Sequence, residues 1–462
     1  MKRIYRGRCN GMHVHFVGIG GSGVSGLALM AQRMGYEVSG CDENVSPYFK
    51  MVESKGIKCY SGHSSDHMQG VDLVVRSSAV PMDSEEIRYA LKKGIVVISR
   101  GTFLSKMMEG KDVIGVAGSH GKTSTTWMIY HILKKAGLNP SVYAGGKSGG
   151  VSNISEGSPY IIELDESDGS MFETTPGILL INNLEFEHAD FYSNPEEMLN
   201  SFERYLLSWE PDTLIIGRGY DLSDALFSMF TPSSFLTVAE LKENGSFQNV
   251  SGLDFFVKEE AVYLLSDDTE IYVGSVREPA HILQNRSAAL LASLSFLKKI
   301  NVTIPKIDFK KLWTEIPVVD RRFQVVGKYK GVDLIDDYAH HPSEIRALVE
   351  QAELKYGNFC LIFQPHRVSR FTVFYDKFLE VLKYVEPLIV LPVYNAGETV
   401  KGADTESFYR ELKQNGSEVY YFKSVDDAGV FIKKNIEGLH VSAVIAAGAG
   451  DLNKVFELVG VK

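Results

Sequence analysis

Gly118-Ser119-His120-Gly121-Lys122-Thr123 follows the apolar run DVIGVAG, which starts at Asp112, and opens the helical stretch TSTTWMIYHILKKAG, which closes at Gly137. A glycine-rich turn between a strand and a helix cradles phosphate, because backbone N–H groups converge on the anion and the helix N-terminus adds a favourable dipole. In such a loop Lys122 reaches the β and γ oxygens of a triphosphate, and the Thr123 hydroxyl can ligate magnesium. Ser124 stands next in the helix. The spacing departs from G-x-x-x-x-G-K-[ST], since Val116 occupies the place of the first glycine. A chance Gly-Lys-Thr is the competing reading. The strand before it, the helix after it and Gly118 within it weigh against chance.

Upstream of this loop, short apolar strands at His13–Gly18, Glu37–Cys41, Leu73–Arg76 and Val96–Ser99 alternate with helical stretches. That alternation predicts a parallel, doubly wound sheet. Gly18-Ile19-Gly20-Gly21-Ser22-Gly23 is a full G-x-G-x-x-G directly after the first strand, and Asp42 closes the second. The pattern points to a diphosphate at a helix N-terminus, with the acid near a ribose. It does not say which nucleotide, and a tight turn without a ligand gives the same letters.

Downstream, the strands YIIEL (Tyr160–Leu164) and ILLIN (Ile178–Asn182) place Glu163, Asn183 and His188 near the phosphate loop. Strand ends beside such a loop are where magnesium-holding carboxylates sit. From the residues alone, Glu163 reads equally as ligand or as strand-end carboxylate. His188 reads as a loop histidine, because magnesium prefers oxygen. From Thr213 to about Gly274 short alternating strands follow, with turns at Asn244-Gly245 and Asp267-Asp268, and then a helix with Ala289, Leu290 and Leu294. A third unit starts near Pro317, with strands VDLID, FCLIF, LIVLPV and SAVIAAG. Two polar runs sit at its strand ends: Asp336-Asp337-Tyr338-Ala339-His340-His341-Pro342 and Gln364-Pro365-His366-Arg367-Val368-Ser369-Arg370. Such groups line ligand crevices at the carboxyl ends of parallel strands, and Arg367 and Arg370 could clamp a carboxylate or phosphate. Helix capping and surface ion pairing explain them equally well.

The chain's 462 residues allow several domains, and 44% hydrophobic with 23% charged residues is ordinary for a globular protein. No apolar run reaches the ~18 residues of a membrane span, and the basic start MKRIYRGRCN carries no apolar signal core, so neither a span nor an export signal is expected. Net charge is −10, with 48 basic and 58 acidic residues, against a nucleic-acid partner. Cys9, Cys41, Cys59 and Cys360 form no C-x-x-C pair and suit a reducing cytoplasm.

In order along the chain, HFVGIGGSGVSG, SSAVP, GSHGKTSTT, ELDESDGSMF, NNLEFEH, RRF, DDYAHHPSEI, FQPHRVSR and GAGD resemble the Mur ligases. The resemblance implies three α/β domains. They are a Rossmann-like UDP-binding domain (1–108), a P-loop ATPase-like domain with a β-rich extension (109–316) and a Rossmann-like C-terminal domain (317–462). It moves Gly18, Gly20, Gly21 and Gly23 from a dinucleotide to the diphosphate of a UDP-sugar, with Asp42, Ser77 and Ser78 toward the uridine. It sets Gly118, Ser119, His120, Gly121, Lys122, Thr123, Ser124, Asn285 and Arg322 at ATP. It sets Thr123, Glu163 and His188 at magnesium, and Tyr338, His340, His366, Arg367 and Arg370 at the incoming amino acid.

The activity so implied is ATP-dependent joining of L-alanine to the carboxylate of UDP-N-acetylmuramate through an acyl phosphate, in peptidoglycan precursor synthesis. Lys122, Glu163, His188 and His340 would be the catalytic set, the enzyme a cytoplasmic monomer or weak homodimer, and domain closure part of its cycle. Three departures from the family pattern stand out: Ile282 after His281, Pro317 ahead of Arg321-Arg322, and Glu187 where aspartate is common. NNLEFEHAD also resembles a recycling ligase that adds an intact tripeptide to the same sugar. Outside the family, a nicotinamide-dependent oxidoreductase would leave the phosphate loop unused, and a P-loop switch would leave the polar runs of the third unit unexplained.

Overall fold

A computed structural model describes residues 11–148, 151–154, 157–187, 191–230, 234–236, 246–247, 254–266, 269–302, 307–398, 400–414, 416 and 418–460. His188 and the expected turns Asn244-Gly245 and Asp267-Asp268 lie outside the described residues. The chain divides into two compact units. One holds the chain up to Phe186 with Pro195–Gly274 and Gln284–Ile316; the other holds Glu187–Asn194, Ser275–Leu283 and Pro317–Lys462.

The first unit begins with β1 (His13–Val17), β2 (Glu37–Asp42), β3 (Lys58–Ser61), β4 (Leu73–Arg76) and β5 (Val96–Ser99). They form one sheet in the order β3-β2-β1-β4-β5. All pairings in it are parallel. The order reverses at β1, so the crevice at the carboxyl ends of β1 and β4 is the switch point where such sheets hold ligands. The glycine run lies there, between β1 and the helix Ser22–Arg33. β3 (KCYS) escaped the sequence reading because it is a half-exposed edge strand with no apolar run to mark it.

The same unit continues with β6 (Val113–Ala117), β7 (Ser141–Ser148), β8 (Val151–Ile154), β9 (Tyr160–Glu163), β10 (Ile178–Ile181), β11 (Thr213–Gly217) and β12 (Ser234–Leu236). Their order is β12-β11-β10-β6-β9-β7-β8. VIGVA and ILLI are buried along their whole length, as expected of central parallel strands covered on both faces. β13 (Ser246–Phe247), β14 (Asp254–Lys258), β15 (Ala261–Ser266) and β16 (Thr269–Ser275) make a separate four-stranded sheet, the β-rich extension. The helix Ala280–Lys299 follows; from Gln284 to Leu297 it is buried on nearly every side, so it packs as an internal element.

The second unit is built on β17 (Gln324–Tyr329), β18 (Val332–Asp337), β19 (Phe359–Phe363), β20 (Leu388–Val390), β21 (Val419–Tyr421) and β22 (Ala443–Ala447), ordered β17-β18-β22-β19-β20-β21. β17 alone runs antiparallel to its neighbour. β20 ends sooner than LIVLPV suggests, because Pro392 cannot donate to a ladder. Among the described residues no helix is long and apolar enough to cross a membrane.

Leu180 is fully buried in β10, which pairs directly with the strand that carries the phosphate loop. Leu180→Ala should lower the stability of this unit by about 2–5 kcal/mol, read from the shift of its denaturant-unfolding transition.

Candidate active site

The phosphate loop leaves β6 at Gly118 and enters the helix Lys122–Lys135 through Gly121, whose φ of 77° is left-handed. A Cβ on Gly121 would lie 2.4 Å from Asn285 Oδ1 and 2.6 Å from Asn182 Nδ2. Only glycine satisfies both conditions. The adjoining strand end holds the loop in place. Ser119 N donates to Asn183 O (3.0 Å), and His120 N donates to Asn183 Oδ1 (2.7 Å). Asn182 Nδ2 donates to the His120 carbonyl (2.9 Å) and to Asn285 Oδ1 (2.8 Å). Asn285 is therefore part of the loop's frame. Ser124 lies half-buried in the first helical turn. His120 Nε2 and Glu185 Oε2 stand 3.1 Å apart.

Lys122 folds back over the loop. Its ammonium donates to the Gly118 carbonyl (2.6 Å) and to both carboxylate oxygens of Glu166 (2.8 and 2.9 Å). Burial alone would lower its pKa, but Glu166 and Asp165 outweigh burial and hold the ammonium above its usual value. The cation is thus permanently charged where a triphosphate would lie. Glu166 was not singled out in the sequence; the acidic run Asp165-Glu166-Ser167-Asp168 just past a strand end was the available signal.

Thr123 Oγ1 donates to Glu163, 3.0 and 3.1 Å from its two oxygens, and the Gly145 N–H donates to Glu163 Oε2 (2.8 Å). Burial pushes the Glu163 carboxyl above the usual carboxylate range despite these donors and the nearby Lys122. A buried carboxylate raised in this way, beside a hydroxyl, is an oxygen donor pair that a hard divalent cation would relieve. The residues present therefore fit magnesium. His188 lies outside the described residues.

At the glycine run, the N–H groups of Gly18 and Ile19 both donate to the Cys41 carbonyl (2.9 and 3.0 Å). Asp42 accepts from Gly20 N (2.9 Å) and Asn44 N (2.9 Å). Its carboxylate is thus engaged by the loop's own backbone. Gly21 caps the helix Ser22–Arg33. The Tyr143 hydroxyl donates to the Gly23 carbonyl (2.8 Å). Ser77 packs against Gly18. Asp168 and Asp165 hold Arg100 Nη2 at 2.9 and 2.7 Å. This arginine–aspartate cluster joins the glycine run to the segment carrying Glu166. Arg100 has no motif around it, so no local pattern could have revealed it.

In the second unit, His340 and Arg370 converge on Glu187, with His366 beside both. Arg370 Nη2 lies 3.2 Å and His340 Nε2 3.7 Å from Glu187 Oε1. The His340 and His366 rings stand 5.7 Å apart, and His366 stacks on Tyr394. Tyr338 meets His340 edge-on, and the Arg322 guanidinium lies over the Tyr338 ring at 5.5 Å while pairing with Glu344 (3.5 Å). Arg367 caps the helix Val368–Val373 at a φ of 67°. Arg370, expected to clamp a ligand carboxylate or phosphate, is engaged here by the carboxylate of Glu187.

The chain thus carries a glycine-loop sheet, a phosphate-loop sheet with a buried lysine, and a sheet with a histidine–arginine cluster at its strand ends. Residues 13–112 match the family model "Mur ligase family, catalytic domain", 116–290 "Mur ligase middle domain" and 321–450 "Mur ligase, glutamate ligase domain". The chain belongs to the Mur ligase family. The UDP-N-acetylmuramate–L-alanine ligase of Carboxydothermus hydrogenoformans is 33% identical over 97% of this chain and 96% of its own length. That of Aquifex aeolicus is 34% identical over 95% of each. The crystal structure of the UDP-N-acetylmuramate-alanine ligase MurC of Thermotoga maritima is 24% identical. It superposes with a TM-score of 0.73, covering 97% of this chain and 98% of that one, and so shows the shared fold.

Burial, with His340 and Arg370 beside it, pushes the His366 imidazole down to about 3. The unfolded chain takes up that proton near pH 6.5 and the folded one does not, so stability falls as pH drops from about 6.5 toward 3. His366→Gln should lose less Tm over that interval than the parent chain, measured by thermal melts at stepped pH.

Proposed function

We propose that this chain joins L-alanine to the lactyl carboxylate of UDP-N-acetylmuramate at the expense of ATP. The observation that carries this reading is the Lys122–Glu166 pair at the mouth of the phosphate loop, in a chain whose full-length relatives bear that activity in their names. In this reading residues 1–108 hold the UDP-sugar, through Gly18, Gly20, Gly21 and Gly23 at the diphosphate, with Asp42, Ser77 and Ser78 toward the uridine. Residues 109–316 hold ATP through Gly118–Ser124 and Asn285. Tyr338, His340, His366, Arg367 and Arg370 take the amino acid.

The carboxylate oxygen attacks the γ-phosphorus, the bond to the β–γ bridging oxygen breaks, and ADP leaves an acyl phosphate. The alanine amine then attacks the acyl carbon, and inorganic phosphate departs with the amide formed and one proton released. Lys122 moves from Glu166 onto the transferred phosphoryl oxygens, where its fixed charge counts most in the transition state. The backbone N–H groups of Gly121, Lys122 and Thr123 orient the phosphate chain. Burial keeps His340 and His366 below the usual histidine range, so both present neutral rings to the substrate amine. Arg370, released from Glu187, holds the alanine carboxylate. Thr123 and Glu163 would hold magnesium, which when bound spreads the charge on the transferred group; His188 is proposed for a second ion on the resemblance alone. Its reactants make this a cytoplasmic step.

Phosphate release is the test, with ATP, magnesium and UDP-N-acetylmuramate in every tube. Release should require L-alanine. Release with the tripeptide L-Ala-γ-D-Glu-meso-diaminopimelate and not with alanine would replace this reading by the recycling one. Lys122→Ala should lower kcat by at least roughly two orders of magnitude. A near-normal rate in that variant would overturn the role given to the lysine.

A further inference from the structure

Beneath the glycine run lies a second cluster that the ligase chemistry does not use. A nitrogen of His15 (β1), Cys41 Sγ (β2), a nitrogen of His67 and a carboxylate oxygen of Glu86 all lie within 4.8 Å of one another. His67 sits in the short turn Ser65–Met68 and Glu86 in the helix Glu85–Lys92. His15, Cys41 and Glu86 are fully buried. Cys41 Sγ is 2.9 Å from Glu86 Oε2, and His67 Nδ1 is 2.7 Å from Glu86 Oε1. His63 Nδ1 holds Glu86 Oε2 from outside at 2.8 Å.

A chain of hydrogen bonds sets the tautomer of His15. The Gly70 carbonyl can only accept, so His13 Nδ1, 3.1 Å away, carries a proton. With His13 neutral, its Nε2 must then accept from the Ser39 hydroxyl at 2.7 Å. Ser39 has no second proton to give, so at 2.8 Å it accepts from His15 Nδ1–H. His15 Nε2 is thereby a bare lone pair, buried and without a partner among the described residues. Burial also holds this imidazole far below its usual range, down to about 3, so protonation does not fill the gap.

We propose that His15 Nε2, Cys41 Sγ, His67 Nδ1 and Glu86 form a structural site for a zinc-class divalent cation. Two imidazoles, a thiolate and a carboxylate are a zinc donor set from four separate elements, leaving no open position for catalysis. The charges also close: a dication with one thiolate, one carboxylate and two neutral rings is neutral, as a buried site requires. Binding expels the Cys41 thiol proton and any proton shared between His67 and Glu86. The outer shell is in place. Ser39 orients His15, His63 holds the free side of the carboxylate, and Tyr60 stacks on His67 with ring centres 4.1 Å apart. Val17, Met68, Val74 and Ile87 close the apolar wall. The Cys41 carbonyl is the acceptor for Gly18 and Ile19 N–H, so a cation on its sulfur pins the strand end that shapes the glycine run.

Metal content and cobalt spectroscopy on the full chain test this. About one zinc per chain should survive gel filtration in excess magnesium. The chain stripped by a chelator and reloaded with Co2+ should show a thiolate-to-metal charge-transfer band with intense tetrahedral d–d absorption. Cys41→Ser should remove that band, and His67→Ala should weaken zinc binding by at least about 10-fold. A parent chain that keeps no zinc and whose Co2+ form lacks the thiolate band would overturn the proposal. So would a band that persists in Cys41→Ser. The cobalt reading on the parent chain stands whether or not the variants fold.

Discussion

The Lys122 ammonium lies between two loop carbonyls and the fully buried Glu166 carboxylate, 2.8 Å away. Removing such a pair from water is costly unless both charges are met by near-ideal partners. Much of the first unit serves that condition. The strand end at Asn182-Asn183 clamps the loop backbone, and Asn285 closes on Gly121 from the helix Ala280–Lys299. Asp165 helps hold Lys122 charged while it also binds Arg100, so the segment carrying Glu166 is fixed from its other side. An anion arriving at the loop finds a cation already desolvated and already charged. Catalysis by a preorganised charge needs that arrangement.

The glycine run shows the same economy of partners. Its pattern suggests a dinucleotide, with Asp42 reaching a ribose. In the structure both oxygens of Asp42 take backbone N–H groups, from Gly20 and Asn44. The acid stiffens the loop before any ligand arrives, so a ribose contact would have to share its lone pairs. The letters of a G-x-G-x-x-G encode a turn that admits a diphosphate, and the rest of the nucleotide is decided elsewhere.

The parallel sheets were legible because central strands such as ILLI and FCLIF are continuous apolar runs. The edge strand KCYS was not, since an edge strand needs no apolar run. The phosphate loop was legible because its chemistry is local, packed into six consecutive residues. Arg100 and Glu187 depend on distant partners, Asp165 and Arg370, that their own neighbourhoods do not name; for Glu166 the acidic run after a strand end hints at a site but not at Lys122. The cysteines form no C-x-x-C pair, so no spacing marks a site. The His15–Cys41–His67–Glu86 cluster appears only when β1, β2, a short turn and a helix come together.

The role of Lys122 requires that the substrate carboxylate itself accept the γ-phosphoryl group. Oxygen-18 placed in the lactyl carboxylate of UDP-N-acetylmuramate follows that oxygen directly. After turnover with ATP and L-alanine, the account predicts one labelled oxygen in the inorganic phosphate for each amide formed from doubly labelled substrate. Unlabelled phosphate alongside amide formation would mean that no acyl phosphate forms, and would contradict the mechanism at its first step.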